Sequence, residues 1–130
     1  MQLAQLDVFR RAAASEAWAQ VHAGHYDWFM FPIDDGSKAE YNVFADDVAE
    51  LLRDSVWPAR HRESVALVAR AWGWELDAAQ PVPAPRHPAM KWTFWDVRLA
   101  KIIRSLWLFG CKSEMESMQK FARMVSRALL

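Results

Sequence analysis

Three cations lie close together in a segment that is otherwise apolar. Arg98, Lys101 and Ser105 are spaced by three and four residues, so they share a face of the predicted helix, and Arg104 lies beside Lys101. Such a group can bind a carboxylate or a phosphate. Two other interpretations stay open. The cations pair with the chain's own acidic residues at 34–35 or 46–47, or they form the solvent side of the helix.

Asp27 is the carboxylate whose neighbours suggest chemistry. It lies between Tyr26 and Trp28, so we expect it to be partly buried. A buried carboxylate needs a partner, and Arg98 or Arg104 is the expected one. A catalytic acid or base has the same sequence features, so Asp27 is also a weak catalytic candidate.

The histidines and the cysteine suggest less chemistry than Asp27. His22 and His25 are three residues apart, but a metal site needs further ligands, and Asp27 supplies only one more. His25 remains a weak candidate for a catalytic acid or base. Cys111 follows a predicted helix C-terminus, where the helix dipole disfavours a thiolate. Because the metal ligands are too few, we expect no metal. The chain has four glycines and no glycine-rich phosphate loop, so we also expect no cofactor.

Eight tryptophans suggest either an aromatic core or an aromatic-walled pocket. Trp72 ends one predicted helix, while Trp92 and Trp95 precede another. If the intervening loop brings these ends together, they can form an aromatic groove beside the cations, with Tyr26 and Trp28 contributing. Such a groove suits a peptide or a flat aromatic ligand. The other interpretation is that these rings pack the loop onto the core.

Composition narrows the class of protein. A chain of 130 residues suits one domain, and its 16 basic and 16 acidic residues cancel. A net charge of zero does not favour nucleic-acid binding. One cysteine suggests a reducing compartment. The N-terminus lacks a signal-peptide pattern, and no segment has the roughly 20 apolar residues that span a bilayer. We therefore expect a cytoplasmic protein without a membrane or nucleic-acid partner.

The elements that must position these residues are mostly helices. Apolar residues recur at three- and four-residue spacing in five segments. The predicted helices cover residues 2–22, 45–54, 58–72 and 93–109, with a last one beginning near Ser113. Residues 25–44 predict an aromatic extended segment that packs across the helices, with a short strand possible there. Residues 77–90 predict a proline-rich loop. The expected fold is an all-α, compact, single-domain bundle of about five helices.

The helix over 93–109 has the widest apolar stripe, so we expect it at the centre of the bundle. The stripe consists of Leu99, Ile102, Ile103, Leu106 and Phe109. Ser113 and Glu116 have capping-box spacing and predict that the next helix begins there. The connection between this last helix and the helix over 93–109 is short, which implies that these two helices are neighbours.

Two stretches resemble the conserved region of opioid growth factor receptor-like proteins. The first is Tyr26-Asp27-Trp28, then Phe31-Pro32-Ile33 and Ser37; the second is Val97-Arg98-Leu99-Ala100-Lys101-Ile102-Ile103-Arg104-Ser105-Leu106, closing with Phe109-Gly110. In that family a "YD…FP(L/I)…S" segment precedes a helix of the form "LRITRILxSLxxLG". The resemblance spans about residues 20–125 and implies a stand-alone helical domain of the kind expected in bacteria. The peptide-receptor role described for animal members is not carried over. Ala100 stands where the family usually has Thr, and Lys101 where it has Arg.

These observations favour a non-catalytic binding module over an enzyme. The module would hold a peptide, a protein or a small anionic or aromatic ligand in the aromatic groove edged by cations. The alternative is a small enzyme that acts on an apolar or aromatic substrate, with Asp27 or His25 as acid or base. A buried, unpaired Asp27 or His25 in a deep pocket would favour the enzyme. A shallow groove with paired charges would favour the module.

Overall fold

Helices make up most of the chain in the computed structural model, which describes residues 1–24 and 26–128 without the side chains at positions 28, 127 and 128. The α-helices in this part are α1 (Gln2–Ala14), α2 (Asp27–Met30), α3 (Ala45–Arg53), α4 (Trp57–Ala71), α5 (Asp96–Leu108) and α6 (Lys112–Ala128). A small hairpin pairs β1 (Trp74–Glu75) antiparallel with β2 (Gln80–Pro81). Short 3-10 turns cover Trp18–His22 and Ala39–Tyr41. The fold is the predicted all-α, single-domain bundle.

The first predicted helix is shorter than expected. α1 ends at Ala14, and the N–H of Ala17 donates to the carbonyl of Ala12 at 2.8 Å, which closes the helix end. Glu16 takes the left-handed conformation there, with φ of 57°, a position that usually favours glycine. The continuous helix predicted over 2–22 is therefore wrong. The turn brings Trp18 and Val21 into the core, and their burial offsets the backbone strain.

The ends of α4 and α5 follow the expected signals. Gly73 and Gly110 come just after the helices, with φ of 84° and 71°. The N–H of Cys111 donates to the carbonyl of Leu106 at 2.9 Å, so the chain reverses within a few residues. α6 consequently packs along α5, as predicted. The predicted capping box is wrong, because α6 begins at Lys112 and Ser113 lies inside its first turn.

The aromatic segment packs into the bundle as expected, but it is not extended throughout. Its first part forms α2, and no strand occurs among its described residues. Tyr26, Met30 and Phe31 are buried. Further along, the N–H of Val43 donates to the carbonyl of Ile33 at 3.0 Å, which folds the segment back on itself. The segment thus forms a wall beside α5.

The proline-rich loop is anchored to the end of α4. The side chain of Arg86 donates to the carbonyl of Gly73 at 3.2 Å, and the N–H of Lys91 donates to the carbonyl of Ala71 at 3.1 Å. Proline spacing did not predict the β1–β2 hairpin, whose second strand lies in this loop. These bonds bring the C-terminal end of α4 close to the approach to α5.

The apolar stripe of α5 lies in the core, as predicted. Leu99, Ile102, Leu106 and Phe109 are buried, and Ile103 is partly buried. Leu99, Ile102 and Leu106 belong to the same core cluster as apolar side chains of α1, α4 and α6. These are Leu6, Phe9, Val65, Val68, Met118 and Phe121. No helix in the described part of the chain is long and apolar enough to cross a bilayer.

Ile102→Asp tests the position of α5. Ile102 is 0% exposed, so the substitution buries an unpaired charge and is expected to unfold the domain. Val97→Asp is the matched control on the same helix, because Val97 is 68% exposed. Far-ultraviolet circular dichroism measures both. A folded Ile102→Asp protein would contradict the core assignment.

A buried histidine also lies in the core. His61 stacks on Trp57 with ring centroids 4.9 Å apart, and its Nε2 lies 3.0 Å from the hydroxyl of Ser105. Burial lowers the pKa of His61 to about 4. Burial likewise lowers the pKa of His22 to about 4. Both side chains are therefore neutral in the folded protein at pH 7.

The folded protein is expected to lose stability as the pH falls from about 6.5 to about 4. In this window the unfolded chain binds protons that the buried histidines exclude, so protonation favours unfolding. The shift of His61 corresponds to about 3 kcal/mol. Urea denaturation at several pH values measures the effect. His61→Gln should flatten part of the pH dependence, and an unchanged dependence would contradict the assignment.

Candidate functional site

A fully buried arginine connects α5 to the loop before α2. Arg98 is 0% exposed, and its Nη1 donates to the carbonyl of His22 at 3.1 Å. Its Nη2 donates to the carbonyl of Gly24 at 2.9 Å and to Oδ1 of Asp27 at 3.1 Å. The predicted pair between Asp27 and Arg98 is confirmed. Because Arg98 is enclosed, its charge does not face a ligand.

Two aromatic rings cover the Arg98 guanidinium. Its central carbon lies 4.2 Å from the ring centroid of Tyr26 and 3.5 Å from that of Trp95. Both distances are short enough for cation–π attraction. Burial raises the pKa of Tyr26 to about 12, although the nearby Arg98 lowers it in part. Tyr26 is therefore a neutral structural ring and not a proton-transfer group at pH 7.

Asp27 binds a second cation as well. Nζ of Lys101 donates to Oδ2 of Asp27 at 3.3 Å, while Arg98 holds Oδ1. Each oxygen of this buried carboxylate thus accepts a charge-assisted hydrogen bond. A general base needs an oxygen that is available to the substrate's proton. The pairing favours a structural role for Asp27.

Arg104 pairs with the acidic residues of the aromatic segment. Its Nε and Nη2 donate to the two oxygens of Asp34 at 3.1 and 2.7 Å. This bidentate bond holds the pKa of Asp34 below its usual range. The guanidinium carbon of Arg104 also lies 4.6 Å from the ring centroid of Trp107. All three cations therefore bind the chain's own carboxylates, and an anionic ligand would have to displace Asp27 or Asp34.

Trp72 and Trp92 lie away from these cations. Their ring centroids are 4.9 Å apart, and both rings contact Phe121 of α6. Nε1 of Trp72 donates to the hydroxyl of Thr93 at 3.0 Å. These two tryptophans do not line the grooves at Lys101 and Arg104. They pack the loop onto the core, as the second interpretation of the sequence expected.

An open groove runs along α5 beside the aromatic segment. Its volume is about 830 Å³. From the α5 side it is lined by Trp95, Val97, Ala100, Lys101 and Arg104. The opposite wall contains Asp27 and residues 33 and 35–37. Of the predicted tryptophans with described side chains, Trp95 lines this groove. We call it the α5 groove.

Large apolar side chains next to the α5 groove remain exposed. Phe94 is 65%, Val97 68%, Trp107 57% and Trp95 39% exposed. A second groove of about 370 Å³ lies beside Trp107 and shares Ala100 and Arg104 with the α5 groove. We call the surface formed by residues 94, 95, 97, 100, 104 and 107 the α5 face. Sequence reasoning missed Val97 and Trp107, although their helical spacing with Ala100 and Arg104 was a usable signal.

Some predicted site residues lie outside the described part of the structure. These are His25 and the side chain of Trp28, whose backbone belongs to α2. Among the described residues, no three His, Cys, Asp or Glu side chains are placed to hold a metal ion.

Arg98→Ala is expected to cost about 3–5 kcal/mol of the free energy of unfolding, alone or combined with Lys101→Ala. The substitution leaves Oδ1 of the buried Asp27 and two carbonyls without a donor. Arg104→Ala is the control, and it should change stability little because its pair is exposed. Urea denaturation measures both variants. Similar losses for both would contradict the structural role of Arg98.

Comparisons with known proteins add no identification. No protein-family model, curated protein or solved structure matches this chain. The site is therefore interpreted from its own geometry.

Proposed function

We propose that this protein is a non-catalytic interaction module whose α5 face binds an apolar segment of a peptide or protein. The main support is the exposure of Trp95, Val97 and Trp107, which line the adjoining grooves, with the exposed Phe94 next to Trp95 in the chain. Exposed apolar patches with aromatic residues are typical of protein–protein binding sites. Grooves on both sides of Ala100 and Arg104 provide space for the side chains of a partner.

The ion pairs favour an apolar partner over an anionic one. Lys101 and Arg104, which line the α5 groove, bind Asp27 and Asp34. An anionic ligand would compete with a carboxylate that is covalently part of the same domain. An apolar side chain gains from burial of the exposed rings and leaves these pairs intact.

The enzyme alternative has less support. Both oxygens of Asp27 accept hydrogen bonds from cations, and the adjoining groove is open and not a deep pocket. His25, the other candidate acid or base, lies outside the described residues. The substrate class expected for the enzyme, apolar or aromatic, is the same chemistry that the module would bind.

Membership of the opioid growth factor receptor-like family also remains a proposal. The two stretches that carry the resemblance meet in the fold, because Tyr26 and Asp27 of the first contact Arg98 of the second. A contact between them is a physical reason for the two motifs to occur together. We also retain a cytoplasmic location as a proposal based on the sequence.

A peptide-display selection against the purified protein tests the α5 face. We expect enrichment of peptides with aromatic and aliphatic residues at helical spacing, because such peptides fill adjoining apolar grooves. Val97→Asp should lower the affinity of the protein for the selected peptides about tenfold or more. Val8→Asp on α1 is the matched control, since Val8 is also exposed.

Two outcomes would count against this function. One is a selection that enriches no saturable binder. The other is a set of binders whose affinity falls equally with Val97→Asp and Val8→Asp, or with neither. Circular dichroism of both variants confirms that the fold is unchanged before affinities are compared.

A further inference from the structure

Another groove lies between the aromatic segment and α3, and its chemistry differs from that of the α5 face. Its volume is about 410 Å³. Four carboxylates line it: Glu40, Asp47, Glu50 and Asp54. No lysine or arginine is among its described lining residues. The whole chain is neutral, so this concentration of negative charge is local. We call it the acidic groove.

Two of these carboxylates are held in place by backbone N–H groups. Asp47 accepts a hydrogen bond from the N–H of Phe44 at 2.9 Å. Asp54 accepts from the N–H groups of Val56 and Trp57 at 2.8 and 2.9 Å, and these bonds hold its pKa below the usual range. These bonds hold both side chains at fixed positions along the groove.

The other two carboxylates do not accept such hydrogen bonds from described backbone N–H groups. Glu40 and Glu50 are exposed, and among the described residues neither side chain has a hydrogen bond or an ion pair. A charged group on a partner can therefore bind them without displacing an existing bond. This distinguishes the acidic groove from the α5 groove, where the chain's own ion pairs occupy the charges.

Aromatic rings line the same groove. Phe29 and Tyr41 lie with ring centroids 6.1 Å apart, and Trp57 is fixed against His61 and Phe109. All three are partly buried. The face of an aromatic ring attracts a cation, and carboxylates around the site add a separate electrostatic attraction.

The spacing of the carboxylates favours an organic cation over a metal ion. No three of the described acidic side chains converge closely enough to coordinate one ion. An arginine side chain is longer, stacks on aromatic rings and donates a planar fork of hydrogen bonds to carboxylates. Lysine offers a compact charge that satisfies fewer of these features.

We propose that the acidic groove binds an arginine-containing segment of a partner protein. The guanidinium would stack on the aromatic lining and donate hydrogen bonds to Glu40 and Glu50, while Asp47 and Asp54 supply further attraction. This site is independent of the α5 face and goes beyond the function proposed for it.

Titration with acetylated, amidated tetra-arginine, followed by ¹H–¹⁵N NMR at fixed ionic strength, tests the proposal. We expect saturable shifts clustered over residues 40–57, with weaker binding of tetra-lysine. Glu40→Gln combined with Glu50→Gln should lower the affinity about tenfold. Asp77→Asn combined with Glu116→Gln is the control, because it removes the same charge from exposed positions elsewhere.

Each result decides for or against the site. Equal losses in the two double variants, shifts spread over the surface, or no saturation would overturn the proposal. Tyr41→Leu should reduce the preference for tetra-arginine over tetra-lysine, and an unchanged preference would also overturn it. Val97→Asp should leave tetra-arginine binding unchanged, so the outcome is separate from that of the α5 face.

Discussion

The burial of Arg98 is the constraint on which the site depends. A guanidinium removed from water needs partners for its charge and its donors; Asp27 pairs with the charge, and with the carbonyls of His22 and Gly24 it accepts from Nη1 and Nη2. These partners come from a stretch more than 70 residues earlier in the chain. The arginine therefore determines where the aromatic segment lies against α5. That position, in turn, creates the wall of the α5 groove.

The same electrostatic arrangement determines which surfaces are available for binding. Lys101 forms an ion pair with Asp27, and Arg104 forms one with Asp34. These cations therefore contribute to the structure, and the exposed part of α5 is left mainly apolar. Near α3 the opposite holds, because Glu40 and Glu50 have no described cationic partner. A chain with no net charge thus presents two surfaces with different chemistry. We propose that one binds apolar segments and the other cationic ones.

Local signals in the sequence predicted α3, α4, α5 and α6 and one tertiary contact. The three- and four-residue apolar spacing reports helical geometry wherever it is sustained, and glycine supplies the positive φ that ends a helix at Gly73 and Gly110. The pair between Asp27 and Arg98 was also predictable, because both residues lie among apolar neighbours and a buried charge requires an opposite one. These inferences need only the identity of neighbouring residues.

The tertiary structure decided which aromatic and acidic residues reach the surface. Trp92 and Trp95 are three residues apart, yet one packs in the aromatic core and the other lines a groove, because Phe121 covers the first and Arg98 lies against the second. The acidic groove likewise combines residues from 29 to 57 whose separate contexts indicate only turns and a short helix. Periodicity shows which side chains share a face. It does not show which distant segment covers that face, since this depends on packing between parts of the chain far apart in sequence.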